Sequence, residues 1–206
     1  MSKVVNVLIA SVGGQGGLTL SRVIAISAVH DGKDVRTGET LGMAQRFGAV
    51  VSYVRIGDEV YSPLFGQGEA HLMLGLELNE VVRNLHYLRS DGLLITADEV
   101  KPPVSSSLGL AENLGRDELI STIKEARNEG VFIVPAKRLA VEAGNYRAMN
   151  MVLLGVANYL TNLLSDESVE KAIRELLPGR KGETSIKAYY LGKEWAKSNS
   201  GRKEKK

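Results

Sequence analysis

The segment with the clearest chemical potential is a glycine-rich turn, residues 11–17, with the sequence SVGGQGG. It directly follows an apolar run and precedes a helical pattern, so the N–H groups of the first helical turn would face outward. Glycine lacks a Cβ, which permits a tight turn and a close approach of a ligand to the backbone. The turn therefore predicts a site for an anion such as a phosphate, a pyrophosphate or a carboxylate. The predicted contacts are Gly13, Gly14, Gln15, Gly16 and Gly17.

The same turn could instead be purely structural, packing a strand against a helix, and the residues alone leave both interpretations open. The G-x-G-x-x-G fingerprint of dinucleotide-binding proteins fits loosely, because Ser11 occupies the first glycine position. An acidic residue is expected about 20 residues further on to bind the ribose. Asp34 and Glu39 are poor candidates, because Arg36 lies between them. The lysine of a Walker-type phosphate loop is also missing.

A second candidate segment, residues 36–48, has the sequence RTGETLGMAQRFG and lies between a predicted strand and a predicted hairpin. Loops that follow parallel strands gather at the carboxyl edge of a sheet, where ligands bind. We therefore expect this segment and the glycine-rich turn to share one edge. The guanidinium of Arg46 could hold a phosphate or a carboxylate through two parallel hydrogen bonds.

The same segment also contains apolar side chains that suit a protein interface better than a solvated loop. The predicted interface residues are Glu39, Met43, Gln45 and Phe47. The alternative is that Glu39 forms an internal ion pair with Arg36 or Arg46. The residue types favour a ligand or interface role for the segment without excluding that pair.

The absence of cysteine from the chain excludes several chemistries within it. Without thiolates it can hold no disulfide, iron–sulfur cluster or thiolate zinc site, and it has no cysteine nucleophile. The three histidines, His30, His71 and His86, have no neighbour at a metal-binding spacing. No pair of carboxylates stands out for acid–base catalysis. We predict no catalytic residue and no metal site in this chain.

Four short, uniformly apolar runs indicate strands that are covered on both faces. These runs are Val4–Ala10, Leu72–Leu76, Leu93–Ala97 and Val131–Pro135. Segments with helical periodicity alternate with them, which favours an α/β fold. The expected architecture is a three-layer α/β/α sandwich with a mostly parallel, mixed sheet and a helical C-terminal third.

Two further patterns refine that architecture. Residues 49–56 and 59–62 flank Gly57-Asp58 and predict a β-hairpin, which would make the sheet mixed. Residues 146–164 are apolar over most of the helical circumference. Such a helix is either buried centrally or covered by a partner. Ser165 is the predicted N-cap of the helix that follows.

Length and charge indicate one domain with a short appendage. The 206 residues predict a single domain over residues 1–198 and a flexible basic tail over residues 199–206. The tail accounts for the small positive net charge of +2, and aromatic residues make up only 5%. Neither value suggests nucleic-acid binding. We recognise no targeting segment and no membrane span, so we expect a cytoplasmic protein without membrane contacts.

In combination, the ordered motifs resemble the small subunit of the 2-oxoacid:ferredoxin oxidoreductases. The resemblance rests on residues 12–17 (VGGQGG), 42–46 (GMAQR), 50–55 (VVSYVR) and 60–64 (VYSPL). It continues through residues 68–70, 102–103 and 142–145 and covers most of residues 4–165. No single motif is specific, but the ordered set is. The chain departs from the family pattern at Ser11, where glycine is usual, and at Phe47, where a small residue is usual.

The resemblance implies an enzyme complex that oxidatively decarboxylates a 2-oxoacid to an acyl-coenzyme A and passes the electrons to ferredoxin. Indolepyruvate or another arylpyruvate is the expected substrate, and coenzyme A is the co-substrate. The family also uses thiamine diphosphate with magnesium, and [4Fe-4S] clusters. Because this chain lacks cysteine and a Gly-Asp-Gly…Asn pattern, the resemblance implies a larger partner subunit that holds these groups. We expect the isolated chain to bind no cofactor and to be inactive.

Two other functions remain compatible with the residues. The strand, glycine turn and helix alone would also fit a free-standing Rossmann-like nucleotide-binding protein or a dehydrogenase-type domain. A purely structural scaffold without ligand contacts is the third possibility.

Overall fold

The computed structural model describes residues 4–41, 48–101 and 114–200. Its centre is a six-stranded sheet with the strand order β2-β3-β1-β4-β5-β6. The strands are β1 Val5–Val12, β2 Asp34–Leu41, β3 Ala49–Gly57, β4 Ala70–Gly75, β5 Leu88–Ala97 and β6 Val131–Val134. The four apolar runs of the sequence correspond to β1, β4, β5 and β6.

The sheet is mixed, as predicted. β1 pairs in parallel with β4, β4 with β5, and β5 with β6. β3 runs antiparallel to both of its neighbours, β1 and β2. Because β3 is the one reversed strand, the other five strands end at the same side of the sheet. We call this side the carboxyl edge.

The predicted hairpin is wrong in its second strand. Residues 49–56 do form β3, but residues 59–62 are not a strand. Both sides of β3 are already occupied by β1 and β2, so no hydrogen-bonding edge is left for residues 59–62. That segment is held by a side chain instead, since Arg55 Nη1 donates to the carbonyl oxygens of Ser62 at 3.1 Å and Leu64 at 3.2 Å. The antiparallel neighbours that follow one another along the chain are β2 and β3.

Seven helices cover the described part of the sheet. They are α1 Gly17–His30, α2 Leu78–Asn84, α3 Arg116–Ala126, α4 Ala136–Ala143, α5 Met149–Thr161, α6 Asp166–Leu176 and α7 Arg180–Ser200. Short 3₁₀ turns occur at Leu85–Tyr87 and Tyr146–Ala148. Helices α1 and α5 pack on one face of the sheet, and α2 with α3 packs on the other. This is the predicted three-layer fold, with α6 and α7 packed outside α1 and α5.

The two faces of the sheet carry separate apolar cores. Val7 and Ile9 of β1 point into the larger core, under α1 and α5. Leu8 of the same strand points into the smaller core, where it packs with residues of α2 and α3. Successive side chains of a strand alternate between faces, so a strand that is covered on both faces must be apolar throughout. This requirement explains why β1 is a continuous apolar run.

The strongly apolar helix α5 is buried by another helix of the same chain. A Cβ on Gly155 would lie 1.9 Å from the carbonyl oxygen of Tyr189, and one on Gly192 would lie 2.1 Å from that of Val152. The two glycines therefore let the backbones of α5 and α7 come into close contact. Of the two predictions for this segment, central burial is the correct one. No helix in the described ranges is long and apolar enough to cross a membrane.

The last described helix extends into the segment that was predicted to be a flexible tail. Helix α7 continues to Ser200, so residues 199 and 200 are helical. Residues 201–206 lie outside the described ranges. The division into a domain over residues 1–198 and a basic tail over residues 199–206 stays a prediction.

Candidate functional site

The glycine turn, residues 13–17, joins β1 to α1 at the carboxyl edge. Gly14 and Gly16 have φ values of 89° and 87°, a left-handed conformation that only glycine adopts readily. Gly17 is required for a different reason, because a Cβ at this position would lie 2.3 Å from Ser11 Oγ. Gly14 is exposed and has open space where a side chain would be. The turn thus has the shape that the glycine pattern predicts.

Part of the turn is anchored to the neighbouring strands. Gln15 is buried, its Oε1 accepts from Val12 N at 2.8 Å, and its Nε2 donates to the Leu76 carbonyl at 3.1 Å. Gly13 N donates to the Gly48 carbonyl at 2.9 Å. These bonds fix the turn against the ends of β3 and β4. The N–H groups that begin α1 have no intrahelical acceptor, because the first turn of any α-helix lacks one. N–H groups of this kind suit an anion.

A cavity of about 330 Å³ opens beside the glycine turn. Its walls come from the turn itself, the chain after β5, and the starts of α4, α5 and α7. Of the described residues that line it, Glu99 is acidic, and four are cationic. The cations are Lys101, Lys137, Arg147 and Lys181. Lys137 Nζ lies 3.2 Å from Glu99 Oε2, so the acidic residue is already paired, and cations outnumber acidic residues among the described lining residues.

Tyr146 also lines the cavity, and the nearby cations affect its pKa. Arg147 Nε donates to the Tyr146 hydroxyl at 3.2 Å. This hydrogen bond, the charge of Arg147 and the charges of Lys101 and Lys137 hold the pKa of Tyr146 below its usual value. A cavity that stabilises a phenolate also favours other anions.

Three longer helices add to this potential through their dipoles. Helices α1, α5 and α7 all begin at the cavity, which is lined by the α1 N-cap Gly16, by Met149 of α5 and by Lys181 of α7. The N-terminus of a helix carries about half a positive elementary charge. N–H groups without intrahelical acceptors, helix dipoles and cationic side chains together form an environment suited to phosphate or carboxylate groups.

The second predicted segment shares the carboxyl edge at both of its described ends. Leu41 ends β2, and Gly48 accepts the hydrogen bond from Gly13. The residues between them lie outside the described ranges, so the roles predicted for some of their side chains stay predictions. These residues are Met43, Gln45, Arg46 and Phe47.

Glu39 was expected in a loop, and its location is a correction. It lies within β2, because β2 continues along β3 as far as Leu41. Its Oε1 accepts a hydrogen bond from Ser21 Oγ at 3.3 Å. The alternative ion pair with Arg36 is not formed, since Arg36 Nη1 lies 2.5 Å from Asp34 Oδ1 instead. An interface role for Glu39 stays a prediction.

The four cations of the cavity were not predicted, because they come from four separate parts of the chain. A local signal existed for three of them. Lys137 and Lys181 are the second residues of α4 and α7, and Arg147 lies two residues before α5. A cation near the N-terminus of a helix is repelled by the helix dipole. Because three helices have a cation at this unfavourable position, the pattern indicates a site where a bound anion would offset the repulsion.

The cysteine-free sequence and the described residues offer no ligand set for the metal groups that the resemblance implies for the complex. Iron–sulfur clusters need thiolate ligands, and the sequence contains no cysteine. Magnesium, which accompanies thiamine diphosphate, needs grouped oxygen ligands. In residues 4–41, 48–101 and 114–200, no three or more His, Asp or Glu side chains are grouped so that they could hold a metal ion. The residues around the glycine turn and the cavity are of types that suit an anion.

The chain is an α/β protein in which a glycine turn at the carboxyl edge of the sheet lies beside a cationic cavity. Residues 6–195 match a family model described as pyruvate ferredoxin/flavodoxin oxidoreductase. Over 193 residues the chain is 38% identical to indolepyruvate oxidoreductase subunit IorB of Pyrococcus horikoshii, covering 93% of this chain and 96% of that protein. The chain belongs to the pyruvate ferredoxin/flavodoxin oxidoreductase family. The resemblance to this class of oxidoreductase subunits is confirmed.

Solved structures confirm the fold. A keto/oxoacid ferredoxin oxidoreductase gamma subunit from Geobacter sulfurreducens matches with a TM-score of 0.70 and 24% identity, covering 94% of this chain and 99% of that one. The 2-oxoglutarate:ferredoxin oxidoreductase of Magnetococcus marinus, with 2-oxoglutarate, coenzyme A and succinyl-CoA bound, matches with a TM-score of 0.71 and 22% identity. That match covers 96% of this chain but only 32% of the other. The same fold thus occurs both as a separate subunit and within a longer chain.

Proposed function

We propose that this chain is the small subunit of a cytoplasmic indolepyruvate:ferredoxin oxidoreductase. The complex would oxidatively decarboxylate indolepyruvate or another arylpyruvate, form an acyl-coenzyme A and transfer the electrons to ferredoxin. The main support is the 38% identity to a protein named indolepyruvate oxidoreductase subunit IorB, over almost the whole of both chains. The proposed role of this chain is to complete the active complex.

The proposed partner is a larger subunit that carries thiamine diphosphate, magnesium and [4Fe-4S] clusters. The composition of this chain supports that division of labour, since a chain without cysteine cannot hold the clusters. When bound in the partner, these groups would supply the decarboxylation and electron-transfer chemistry. The residues of this chain would supply an anion-binding edge.

Co-expression with the large subunit tests the choice of substrate. We expect the purified complex to reduce ferredoxin with indolepyruvate and coenzyme A, and to turn over pyruvate and 2-oxoglutarate less efficiently, as judged by kcat/KM. A complex that prefers pyruvate or 2-oxoglutarate by this measure would overturn the arylpyruvate assignment.

The proposed ligand of the carboxyl edge is the phosphate-containing part of coenzyme A. Gly14 and Gly16 border the cavity, and the exposed N–H groups at the start of α1 suit phosphate oxygens. Arg147 and Lys181 provide positive charge within the same cavity. Arg46, on the neighbouring segment, is a further proposed contact. Coenzyme A carries several phosphate charges, which matches the excess of cations.

Substitution of two cavity cations tests this ligand. A charge-assisted hydrogen bond contributes about 1.5–3 kcal/mol, so we expect Arg147→Ala or Lys181→Ala to raise the KM for coenzyme A at least about tenfold. The KM for the 2-oxoacid should stay within about twofold of its original value. Lys124→Ala on α3 is the matched control, because this cation lies on the opposite face of the sheet. An unchanged KM for coenzyme A in both cavity variants would contradict the proposal.

The proposed contact with the large subunit includes Glu39, Met43, Gln45 and Phe47. Its support is the presence of two large apolar side chains in a polar segment whose ends lie at the carboxyl edge. We expect Phe47→Glu to prevent co-purification of the two subunits. Val29→Glu is the control, since Val29 is 56% exposed at the opposite end of α1. Co-purification that survives Phe47→Glu would exclude Phe47 from the interface.

A further inference from the structure

One buried amide joins the glycine turn to the opposite wall of the cavity. Asn150 lies in the first turn of α5 and is only 5% exposed. Its Nδ2 donates to the Gly16 carbonyl oxygen at 3.0 Å, and its Oδ1 accepts from Met151 N at 2.9 Å. Asn150 and Gly16 are 134 residues apart in the sequence. This contact was not visible in any local sequence pattern.

The fit between Gly16 and Asn150 is close. A Cβ on Gly16 would lie 2.7 Å from Asn150 Nδ2, which is closer than real Cβ contacts. The Gly16 carbonyl also accepts from Leu20 N at 3.0 Å, so it receives two hydrogen bonds. The absence of a side chain at Gly16 thus serves both the left-handed turn and the approach of the Asn150 amide.

The hydrogen bond from Asn150 fixes the orientation of one peptide group. The C=O of Gly16 and the N–H of Gly17 belong to the same planar peptide, in which they point in opposite directions. Because both donors hold the Gly16 carbonyl on the helix side, the Gly17 N–H points away from α1. The Gly17 N–H is the first of the α1 N–H groups that have no intrahelical acceptor.

The same contact also sets the position of a cavity cation. Helix α5 begins at Met149, directly after the 3₁₀ turn Tyr146–Ala148 that contains Arg147. Asn150, which holds Gly16, and Arg147 therefore lie in one continuous helical segment. A shift of α5 away from the turn would move the cation and release the Gly16 peptide together.

We propose that Asn150 is a positioning residue, whose hydrogen bond to Gly16 aligns the glycine turn with the Arg147 side of the cavity for anion binding. It acts through Gly16 and is not proposed to contact the reacting atoms. The functional consequence rests on the proposed binding of coenzyme A at this cavity. The structural consequence, a turn held in one conformation, does not depend on the identity of the ligand.

Asn158 offers a matched control in the same helix. It is 4% exposed, and its Nδ2 donates to the Leu164 carbonyl at 2.8 Å and to the Tyr189 hydroxyl at 2.7 Å. Asn150→Ala and Asn158→Ala therefore each remove one buried amide from α5, but only the first contacts the glycine turn. Asn150→Asp is a second variant of the same size, which places an oxygen where the Nδ2 donor was.

Amide hydrogen exchange of the full chain tests the structural part. Loss of a hydrogen bond worth about 1 kcal/mol changes a local equilibrium roughly fivefold. We therefore expect Leu20 N–H, which bonds to the Gly16 carbonyl, to exchange about fivefold faster in Asn150→Ala and Asn150→Asp. In Asn158→Ala the affected amide should instead be Leu164 N–H, which bonds to Asn158 Oδ1 at 2.9 Å. Leu20 exchange that is equal in all variants would overturn the proposal.

Steady-state kinetics of the complex tests the functional part. Asn150→Ala should raise the KM for coenzyme A about fivefold, since a hydrogen bond of this kind contributes about 1 kcal/mol. The kcat and the KM for the 2-oxoacid should stay within about twofold, whereas Asn158→Ala should lower the Tm without changing any KM. A lower Tm with an unchanged KM for coenzyme A would make Asn150 merely structural and overturn the proposal. If Arg147→Ala and Lys181→Ala also leave this KM unchanged, the ligand assignment fails separately.

Discussion

Polar groups at the C-terminal end of helix α1 hydrogen-bond to one another, whereas polar groups at its N-terminal end line a cavity. At its C-terminal end, Asp31 Oδ1 accepts from the hydroxyls of Ser165 and Ser168 at 2.6 Å each, and Oδ2 accepts from Ser165 N at 2.8 Å. At its N-terminal end, the N-cap Gly16 and the nearby cations line a cavity of about 330 Å³. Polar groups that bond to one another hold the fold together, and those that face a cavity are available to a ligand.

The hydrogen bonds at the C-terminal end of α1 form a joint between α1 and α6. Ser165 is the N-cap of α6, as predicted, with its hydroxyl accepting from Ser168 N at 3.2 Å. Partial burial raises the pKa of Asp31, but the hydrogen bonds from Ser165 and Ser168 outweigh burial and hold this pKa below its usual value. The joint therefore stabilises the fold while Asp31 is ionised.

Substitution of two glycines with positive φ, one near each end of α1, should show the difference between the two ends most strongly. Gly16 has a φ of 87° and is crowded by Asn150, whereas Gly32 has a φ of 74° and nothing within 4 Å of an added Cβ. A left-handed conformation costs a residue with a Cβ about 1–2 kcal/mol. We expect Gly32→Ala to lower the free energy of unfolding by that amount, and Gly16→Ala by roughly 3 kcal/mol because overpacking adds to the strain. Urea unfolding measures both.

If Gly16→Ala and Gly32→Ala lower the free energy of unfolding equally, the Asn150 side chain must move away from the added methyl group without strain. In the complex, only Gly16→Ala should also impair the use of coenzyme A, because only Gly16 borders the cavity. An effect of Gly32→Ala on that KM would remove the distinction between the two ends.

The next largest effect concerns the ionisation of Asp31. Its folded pKa is lowered, so its contribution is present above the unfolded pKa of about 3.9 and is lost as pH falls through the folded value. We expect Asp31→Asn to lower the free energy of unfolding by about 1–2 kcal/mol at pH 7, because hydrogen bonds to a charged group are weakened. The difference from the original chain should shrink as the pH falls below about 4.

Urea unfolding at pH 7 and at pH 3.5 measures this convergence. A second variant, Asp58→Asn, serves as the control because Asp58 pairs with Lys33 on the exposed surface. Surface ion pairs contribute about 0–1 kcal/mol, so this control should change stability little at either pH. A difference for Asp31→Asn that persists unchanged at low pH would contradict the role of the ionised carboxylate.

The smallest expected effect is an increase in stability, whereas the preceding variants lower it. Lys181 lies in the first turn of α7, where the helix dipole disfavours a cation by about 0.3–1 kcal/mol. We expect Lys181→Ala to raise the Tm of the free chain slightly while it weakens the use of coenzyme A in the complex. Differential scanning calorimetry of the free chain measures the first effect. A lower Tm for Lys181→Ala would indicate that this cation stabilises the fold rather than the ligand.

The sequence predicted the parts of the molecule that depend on neighbouring residues. Continuous apolar runs identified β1, β4, β5 and β6, and the glycine pattern identified the turn that joins β1 to α1. Helix α4 was missed, since it has only eight residues and follows Pro135. The second strand of the predicted hairpin failed because the pairing of β3 with β1 and β2 is a property of the whole sheet.

The site was predictable only in part, for the same reason. The turn was found, but the anchoring of Gln15 depends on Leu76, which is 61 residues away. The cavity cations come from four separate segments, and the contact between Asn150 and Gly16 spans 134 residues. Spacing along the chain does not report such contacts.

The central claim, that this chain completes an active complex and does not act alone, is tested most directly by titration. Increasing amounts of the purified chain are added to a fixed amount of the large subunit, and ferredoxin reduction is followed with indolepyruvate and coenzyme A. We predict no turnover by this chain alone and a rate that rises to saturation at a fixed ratio of the two subunits. Turnover by this chain without the large subunit, or a rate of the large subunit that this chain does not change, would contradict the account.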